Sequence, residues 1–408
     1  MRGVRFIWVA ALLLAVLVPS EAGAQSSVWA SRNGLLVMRS DRDGEPDVFT
    51  IDPTSSATVK LTTSPGAAEL QPAWSPEGDR IAFVRRGGLT GRPDLFVMNA
   101  AGRGRRRLTS TPVPERDPSW SPSGTGIVYA ARTGPGGPFR IFSARADGSE
   151  REQLTTQAAG SADRSPVWSP DGTRIAFVSN RAGGFPELYL MFPDGTGVVR
   201  LTTNPLIDAN PSWSPDGTKL VFERCCENGT SDLVTIDVAT RAEADLTATL
   251  TGQEFDPTWS PDGSRIAYVA FEQGQGNPDV WVMNADGTGP TRLTEHAGPD
   301  LSPDWQPLPI CTINGGAQGE VLTGTEGNDV ICAGGGADDV RGLAGDDLIL
   351  GGPGSDNIQG QAGADLLMGQ GGDDVLGGGS GYDLLDGGVG TDTCRRGKDG
   401  AFLWLCEL

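Results

Sequence analysis

Eight aspartates recur at intervals of nine residues near the C-terminus: Asp329, Asp338, Asp347, Asp356, Asp365, Asp374, Asp383 and Asp392, with Glu320 one step earlier. Carboxylates at a short fixed period, set among glycines, suit a hard divalent cation, which takes oxygen ligands from carboxylates and backbone carbonyls. A second acidic series stands five residues before each of six tryptophans: Glu69, Glu115, Asp163, Asp208, Glu254 and Asp300. If these six converge on one mouth of a channel, they form a negative funnel that holds a cation or receives a basic peptide segment. Local capping, in which each acid bonds backbone N–H groups of its own loop, produces the same repetition. Acid–base and nucleophilic chemistry has little to work with. The one histidine, His296, follows Leu293-Thr294-Glu295 in a connecting loop, and no Gly-x-Ser-x-Gly sequence occurs. A two-histidine zinc site within the chain is excluded, the cysteines lack zinc-ligand spacing, and no catalytic residue is assigned.

The aspartates belong to nine unbroken nonapeptides spanning 315–395, of which Gly351-Gly352-Pro353-Gly354-Ser355-Asp356-Asn357-Ile358-Gln359 is one. The sixth place is Asp and the fourth Gly in eight of the nine, and the eighth place is apolar from Leu322 to Leu385, then Cys394. Glycine permits turns with φ > 0 and leaves carbonyls open to an ion. One apolar residue per nine fits a three-residue strand that sends only its central side chain inward. Two nonapeptides per coil would stack Asp residues 18 apart on the same side. The pattern resembles the RTX-type (hemolysin-type) calcium-binding β-roll, which implies Ca2+ as the bound ion and the eight aspartates as its metal ligands. RTX proteins usually carry a C-terminal export signal, whereas this chain begins with an N-terminal one.

Upstream lies a longer period. Trp74, Trp120, Trp168, Trp213, Trp259 and Trp305 are separated by 46, 48, 45, 46 and 46 residues, each with Pro two places before it. Ser-Pro-x-Gly follows the first five, then an apolar run such as Ile175-Ala176-Phe177-Val178, a loop, a third run, a turn such as Asp194-Gly195, and a fourth run ending in Leu-Thr. Gly in these turns supplies the φ > 0 they need. Four short strands at this period predict a propeller blade. Six Trp positions and six Leu-Thr ends predict six blades, with 303–307 completing the blade begun by 34–63 and Trp29 competing as its start. The repeated Pro-x-Trp-Ser-Pro-Asp-Gly text over about 28–307 resembles the TolB-like six-bladed β-propeller, which implies a ring-shaped scaffold without fixing an activity.

Composition sets the setting. The 408 residues carry 52 acids and 32 bases, a formal net charge of −20, which argues against nucleic acid and anionic lipid as partners. Arg2 and Arg5, the apolar run 6–18 and Ala22-Gly23-Ala24 have the layout of a secretory leader over 1–24, predicting a secreted, periplasmic or envelope-exterior protein without membrane insertion once the leader is removed. In that compartment six cysteines suggest pairing. Cys311–Cys332 would cap the start of the roll, and Cys394–Cys406 would clamp the tail over its end. Cys225 and Cys226 remain as a vicinal pair.

The expected architecture is all-β: leader 1–24, six-bladed propeller 25–309, then a parallel β-roll with a C-terminal cap over 310–408. The expected function is a non-enzymatic, calcium-binding protein whose propeller recognises a protein or peptide. A structural or adhesive envelope protein is one alternative. A hydrolase-associated propeller protein is the other, although such hydrolases are separate α/β domains for which this chain has no room.

Overall fold

The computed structural model describes residues 31–395 and 402–404, apart from 88–90, 157–159, 228–229, 249, 251, 272–275, 382 and 389. The leader 1–24, Trp29 and Cys406 lie outside the described residues. Every regular element described is a strand.

Six four-stranded antiparallel sheets form the blades. The first is built from both ends of the repeat region. Asp300–Pro309 pairs with Ser31–Ser40, setting Trp305 opposite Leu36, and Asp47–Ile51 and Thr58–Lys60 complete the sheet. The ring is thus closed by the expected exchange, which removes two free sheet edges. Blades two to six begin at Ala67–Trp74, Glu115–Trp120, Asp163–Trp168, Ile207–Trp213 and Gln253–Trp259.

The repeated residues have structural jobs. Ser169-Pro170-Asp171-Gly172 is a four-residue turn closed by the Gly172 amide donating to the Ser169 carbonyl, with Gly172 at φ 67. Trp120 Nε1 donates to the Ala73 carbonyl and Trp213 Nε1 to the Val167 carbonyl, so these two indoles pin their blades to the preceding ones. The Thr of every Leu-Thr accepts a backbone amide of the third strand: Thr62 from Val48, Thr109 from Leu95, Thr155 from Ile141, Thr202 from Leu188, Thr247 from Leu233 and Thr294 from Val280. Apolar clusters fill the spaces between blades, as where Phe177, Tyr189 and Met191 meet Val128, Ala130 and Ile141.

Beyond Pro309 the chain winds into two parallel sheets. One contains Ile313–Asn314, Val330–Cys332, Leu348–Pro353, Leu366–Gly371, Leu384–Asp386 and Phe402–Trp404, and the other Val321–Thr323, Asp339–Ala344, Asn357–Ala362, Val375–Ser380 and Thr393–Arg395. Paired residues are 18 apart, as in Ile331 with Ile349 and Val340 with Ile358, so two nonapeptides make one coil. Ile331, Val340, Ile349, Ile358, Leu367, Leu376 and Leu385 form its fully buried spine. The outer faces of the two sheets differ. On the first, Val330, Leu348 and Met368 are buried, and Leu366 packs against the propeller cluster containing Trp120. On the second, Val321, Asn357 and Arg341 are exposed. The roll therefore lies with its apolar sheet on the propeller. Asp386 and the buried Arg80, which opens the strand Arg80–Gly87, feel each other's charge across this junction.

Candidate metal sites and the propeller channel

The coil geometry sorts the sixth-place acids into two columns. One holds Glu320, Asp338, Asp356, Asp374 and Asp392, and the other Asp329, Asp347, Asp365 and Asp383. Within each column a carboxylate oxygen accepts the backbone amide of the acid 18 residues earlier: Asp338 from Glu320 at 2.7 Å, Asp356 from Asp338 at 2.9 Å, Asp374 from Asp356 at 2.8 Å and Asp392 from Asp374 at 2.9 Å. The second column repeats this: Asp347 from Asp329 at 2.9 Å, Asp365 from Asp347 at 3.0 Å and Asp383 from Asp365 at 3.1 Å. Oδ1 is thereby used. Oδ2 of Asp338, Asp347, Asp356, Asp365 and Asp374 is buried with no hydrogen-bond donor, an arrangement that costs free energy unless a cation completes it.

Glycine makes this packing possible. A methyl group on Gly342, Gly360 or Gly369 would stand 2.2 Å from Oδ2 of Asp347, Asp365 or Asp374 respectively. At the fourth place a methyl on Gly354, Gly372 or Gly390 would stand 1.6–1.7 Å from the carbonyl oxygen of the glycine 18 residues earlier. Those glycines also have φ of 152, 132 and 156, which side chains rarely adopt. Burial pushes the Asp347 carboxyl up to about 6, with Asp329 adding to it, and the Asp365 carboxyl up to about 7, with Asp347 and Asp383 adding. Buried carboxylate columns, unfilled acceptor oxygens and close-packed glycine carbonyls fit a hard cation held by oxygen. Bound calcium would supply the positive charge that lets neighbouring carboxylates ionise side by side.

The disulfide Cys311–Cys332 staples the first coil, with Cα atoms 5.8 Å apart. Cys225 and Cys394 are also disulfide-bonded. The expected partner Cys406 falls outside the described residues, as does the side chain of Cys226.

The acids before the tryptophans lie at the start of each innermost strand and are 0–2% exposed. Each bonds donors close to it, while one oxygen of Glu69, Asp163 and Glu254 is buried without a hydrogen-bond partner. Glu69 accepts from Ser64 at 2.8 Å, Glu115 from Thr109 and Thr111, and Asp163 from Ser179 at 2.6 Å and Arg181 at 2.9 Å. Asp208 accepts from Asn204 and Arg224, Glu254 from Thr247, and Asp300 from Arg42. The channel lining begins two residues later. Gln71, Asp117, Ser165, Asn210, Asp256 and Ser302 form a collar around a cavity of about 520 Å³, which the roll's Leu348 also lines.

The collar residues share a backbone cause. The ladder between the first two strands slips at the same place in blades two to six. All six residues have φ between 46 and 55, a left-handed conformation that costs roughly 1 kcal/mol or more for a non-glycine residue. They bond sideways: Gln71 with Asp117, Ser165 through its amide with Asp117 and through its hydroxyl with Asn210, and Asn210 and Ser302 with Asp256. Burial pushes the Asp256 carboxyl up to about 6. The collar escapes sequence reading because its members share no chemistry; the usable signal is their fixed place three residues before each Trp.

A family described as TolB beta propeller domain matches residues 15–165. One described as RTX calcium-binding nonapeptide repeat (4 copies) matches 314–349, 350–385 and 368–399. Among solved structures, TolB from Acinetobacter baumannii is similar at 22% identity and a TM-score of 0.57, covering 67% of this chain and 66% of that one. The chain thus spans just under two thirds of that protein's length. A putative TolB from Agrobacterium tumefaciens is similar at 18% identity and a TM-score of 0.53, covering 67% of this chain and 91% of that one. At these identities the likeness speaks to the fold alone. The ring of six four-stranded blades and the aspartate columns of the roll are therefore those of a TolB-like six-bladed β-propeller joined to an RTX-type calcium-binding β-roll.

Proposed function

We propose that the protein is exported through its 1–24 leader and acts as a non-enzymatic recognition protein, with a propeller over 25–309 and a roll over 310–408 that folds on calcium. The observation that carries this reading is the set of buried, donorless Oδ2 atoms on Asp338, Asp347, Asp356, Asp365 and Asp374. The eight repeat aspartates, Asp329 to Asp392, are its calcium ligands, together with glycine-turn carbonyls. The region from 310 onward has 16 acids and 4 bases, so bases do not relieve the repulsion between stacked carboxylates. The spine of one apolar side chain per nonapeptide is thin against the entropy of ordering the chain. Folding then follows export into a calcium-containing medium. The six acids before the tryptophans act in this reading as blade-capping groups, and the propeller's recognition surface lies elsewhere on the ring.

Hydrogen exchange on the full-length mature protein tests the calcium reading. Amides of 315–395 are expected to lose protection in chelator and regain it at millimolar calcium, while amides of 67–292 keep theirs. Protection of 315–395 that is complete in chelator and unchanged by calcium overturns it. Mass spectrometry of the secreted product tests export separately: the expected N-terminus is Gln25, and a retained leader argues against cleavage. A panel of peptide, ester and glycoside substrates is expected to give no turnover; turnover abolished by His296→Ala contradicts the non-enzymatic role.

A further inference from the structure

Repeat proteins expose local specialisation as departures from the repeat, and blade three departs twice. In five blades the residue just before the amide that bonds the Leu-Thr hydroxyl is acidic: Asp47, Asp94, Glu187, Asp232 and Asp279. In blade three that place is Arg140, preceded by Phe139 where four other blades have Pro46, Pro93, Pro186 and Pro278. The second departure is on the innermost strand. The residue before the collar is Leu70, Ala209, Phe255 or Leu301 in four blades, but Arg116 in blade three and Arg164 in blade four.

These departures meet at one spot. The guanidinium carbons of Arg132, Arg164 and Arg116 lie 4.9, 5.1 and 5.4 Å from the centre of the Phe139 ring. Arg140, buried beneath, donates to the Phe139 and Ser161 carbonyls and pairs with Asp163. Arg116 has one carboxylate beside it, Asp117 at 3.6 Å, which the collar also uses. Arg132 donates to the Gly137 carbonyl. Among the described residues neither Arg132 nor Arg164 has an ion pair with a carboxylate. Burial lowers the Arg164 pKa, and the like charges of Arg116 and Arg132 lower it further, with the Asp117 carboxylate opposing them. Such a concentration of positive charge is unusual on a chain of net charge −20. It adjoins Asp117 and Ser165 of the collar, at the end of the innermost strands away from the roll.

We propose that Arg116, Arg132 and Arg164, gathered around Phe139 on blades three and four, form a carboxylate-binding site that takes an acidic peptide segment beside the channel. Guanidinium groups hold carboxylates through paired N–H donors, and stacking on Phe139 fixes their planes. The overall negative charge repels long polyanions and leaves a patch three arginines wide for a short acidic stretch. The inference deepens the recognition role proposed for the propeller and is independent of the calcium reading.

The test uses full-length protein in calcium and a short fluorescein-labelled Glu-rich peptide followed by anisotropy, with a Gln-rich peptide as control. Wild type is expected to bind the Glu-rich peptide and not the control. Arg116→Gln/Arg132→Gln/Arg164→Gln is expected to weaken binding at least about tenfold, since it removes three charge-assisted donors. Arg86→Gln/Arg103→Gln/Arg265→Gln, which removes three exposed arginines elsewhere, should change it less than about twofold. Calcium-dependent hydrogen exchange of 315–395 should be the same in all three proteins, which separates failure of this site from failure of the calcium reading. The proposal is overturned if wild type does not bind, if the first triple variant binds as wild type does, or if inorganic phosphate or an oligonucleotide displaces the peptide more effectively than an unlabelled Glu-rich peptide.

Discussion

Asp365 reaches back one coil and accepts the backbone amide of Asp347 through Oδ1 at 3.0 Å, while its Oδ2 is buried without a donor. One side chain thus does two things that respond differently to charge. The bond to the amide needs only an acceptor oxygen and holds successive coils in register. The second oxygen adds a negative charge to a buried column, where Asp347 and Asp383 already stand.

Replacing Asp365 by Asn separates the two. The amide oxygen keeps the register bond, and the charge is lost. In chelator the Asp365→Asn roll is expected to be more stable than wild type by roughly 1–2 kcal/mol, because the buried charge and its repulsion are gone. In calcium it is expected to be less stable, having lost an anionic ligand. Denaturant titration of the full-length protein in both conditions measures the two effects; a change of the same sign in both would refute the division of labour.

Gly372 and Gly371 are neighbours with opposite tolerance. Gly372 has φ 132, and a methyl there would stand 1.7 Å from the Gly354 carbonyl oxygen, whereas a methyl on Gly371 meets nothing within 4 Å. Gly372→Ala is expected to destabilise the calcium-bound roll by about 2 kcal/mol or more. Gly371→Ala should fall within about 0.5 kcal/mol of wild type. Calcium midpoints followed by circular dichroism check both values.

The parts of this molecule that were legible in the sequence are those in which one chemical requirement recurs at every period. Trp74 to Trp305 mark the blades because each stands at the same place on an innermost strand beside the inter-blade core, and the nonapeptide glycines recur because the coils pass close to one another. The pairing of Asp300–Pro309 with Ser31–Ser40 follows from counting Trp positions against Leu-Thr ends. The collar is different: its constant is a backbone slip before Pro, which Gln71, Asp117 and Ser165 tolerate alike. The docking face of the roll hides in an alternation of nonapeptides. Leu348, Leu366 and Leu384 hold the seventh place in one set, and Asp339, Asn357 and Val375 in the other. Reading every nonapeptide as equivalent averages that difference away.

Asp304 gives the propeller a pH dependence. It accepts the Trp74 amide at 2.7 Å and the Thr258 hydroxyl at 3.3 Å, and burial pushes its carboxyl up to about 7. Burial likewise pushes Glu223 and Glu254 up to about 7. For an acid whose folded pKa exceeds its unfolded one, the stabilisation is complete below the unfolded value, near 4, and is lost as pH rises through the folded value. The propeller should therefore lose stability between about pH 5 and pH 8 at constant calcium. Asp304→Asn retains an acceptor for Trp74 and should flatten that decline by roughly 2 kcal/mol. Thermal unfolding of wild type and variant across this range is the measurement, and parallel curves would remove Asp304 as a source.

Leu366 joins the calcium-dependent part to the part that needs no calcium. It lies on the sheet of the roll that faces the propeller and packs against the cluster of Trp120, Leu95 and Phe142. The same sheet presents the buried Leu348 and Met368. An isolated roll would expose this face, so part of its folding free energy comes from the propeller. Leu366→Asp places a charge in that junction, at an expected cost of about 2 kcal/mol or more. Because folding and calcium binding are linked, the calcium midpoint of the 315–395 amides should move to higher concentration. Thr393→Asp adds the same charge at the seventh place of the opposite, exposed sheet and should leave the midpoint nearly unchanged. If the two variants shift the midpoint equally, added charge accounts for the effect and the docked face contributes nothing to folding.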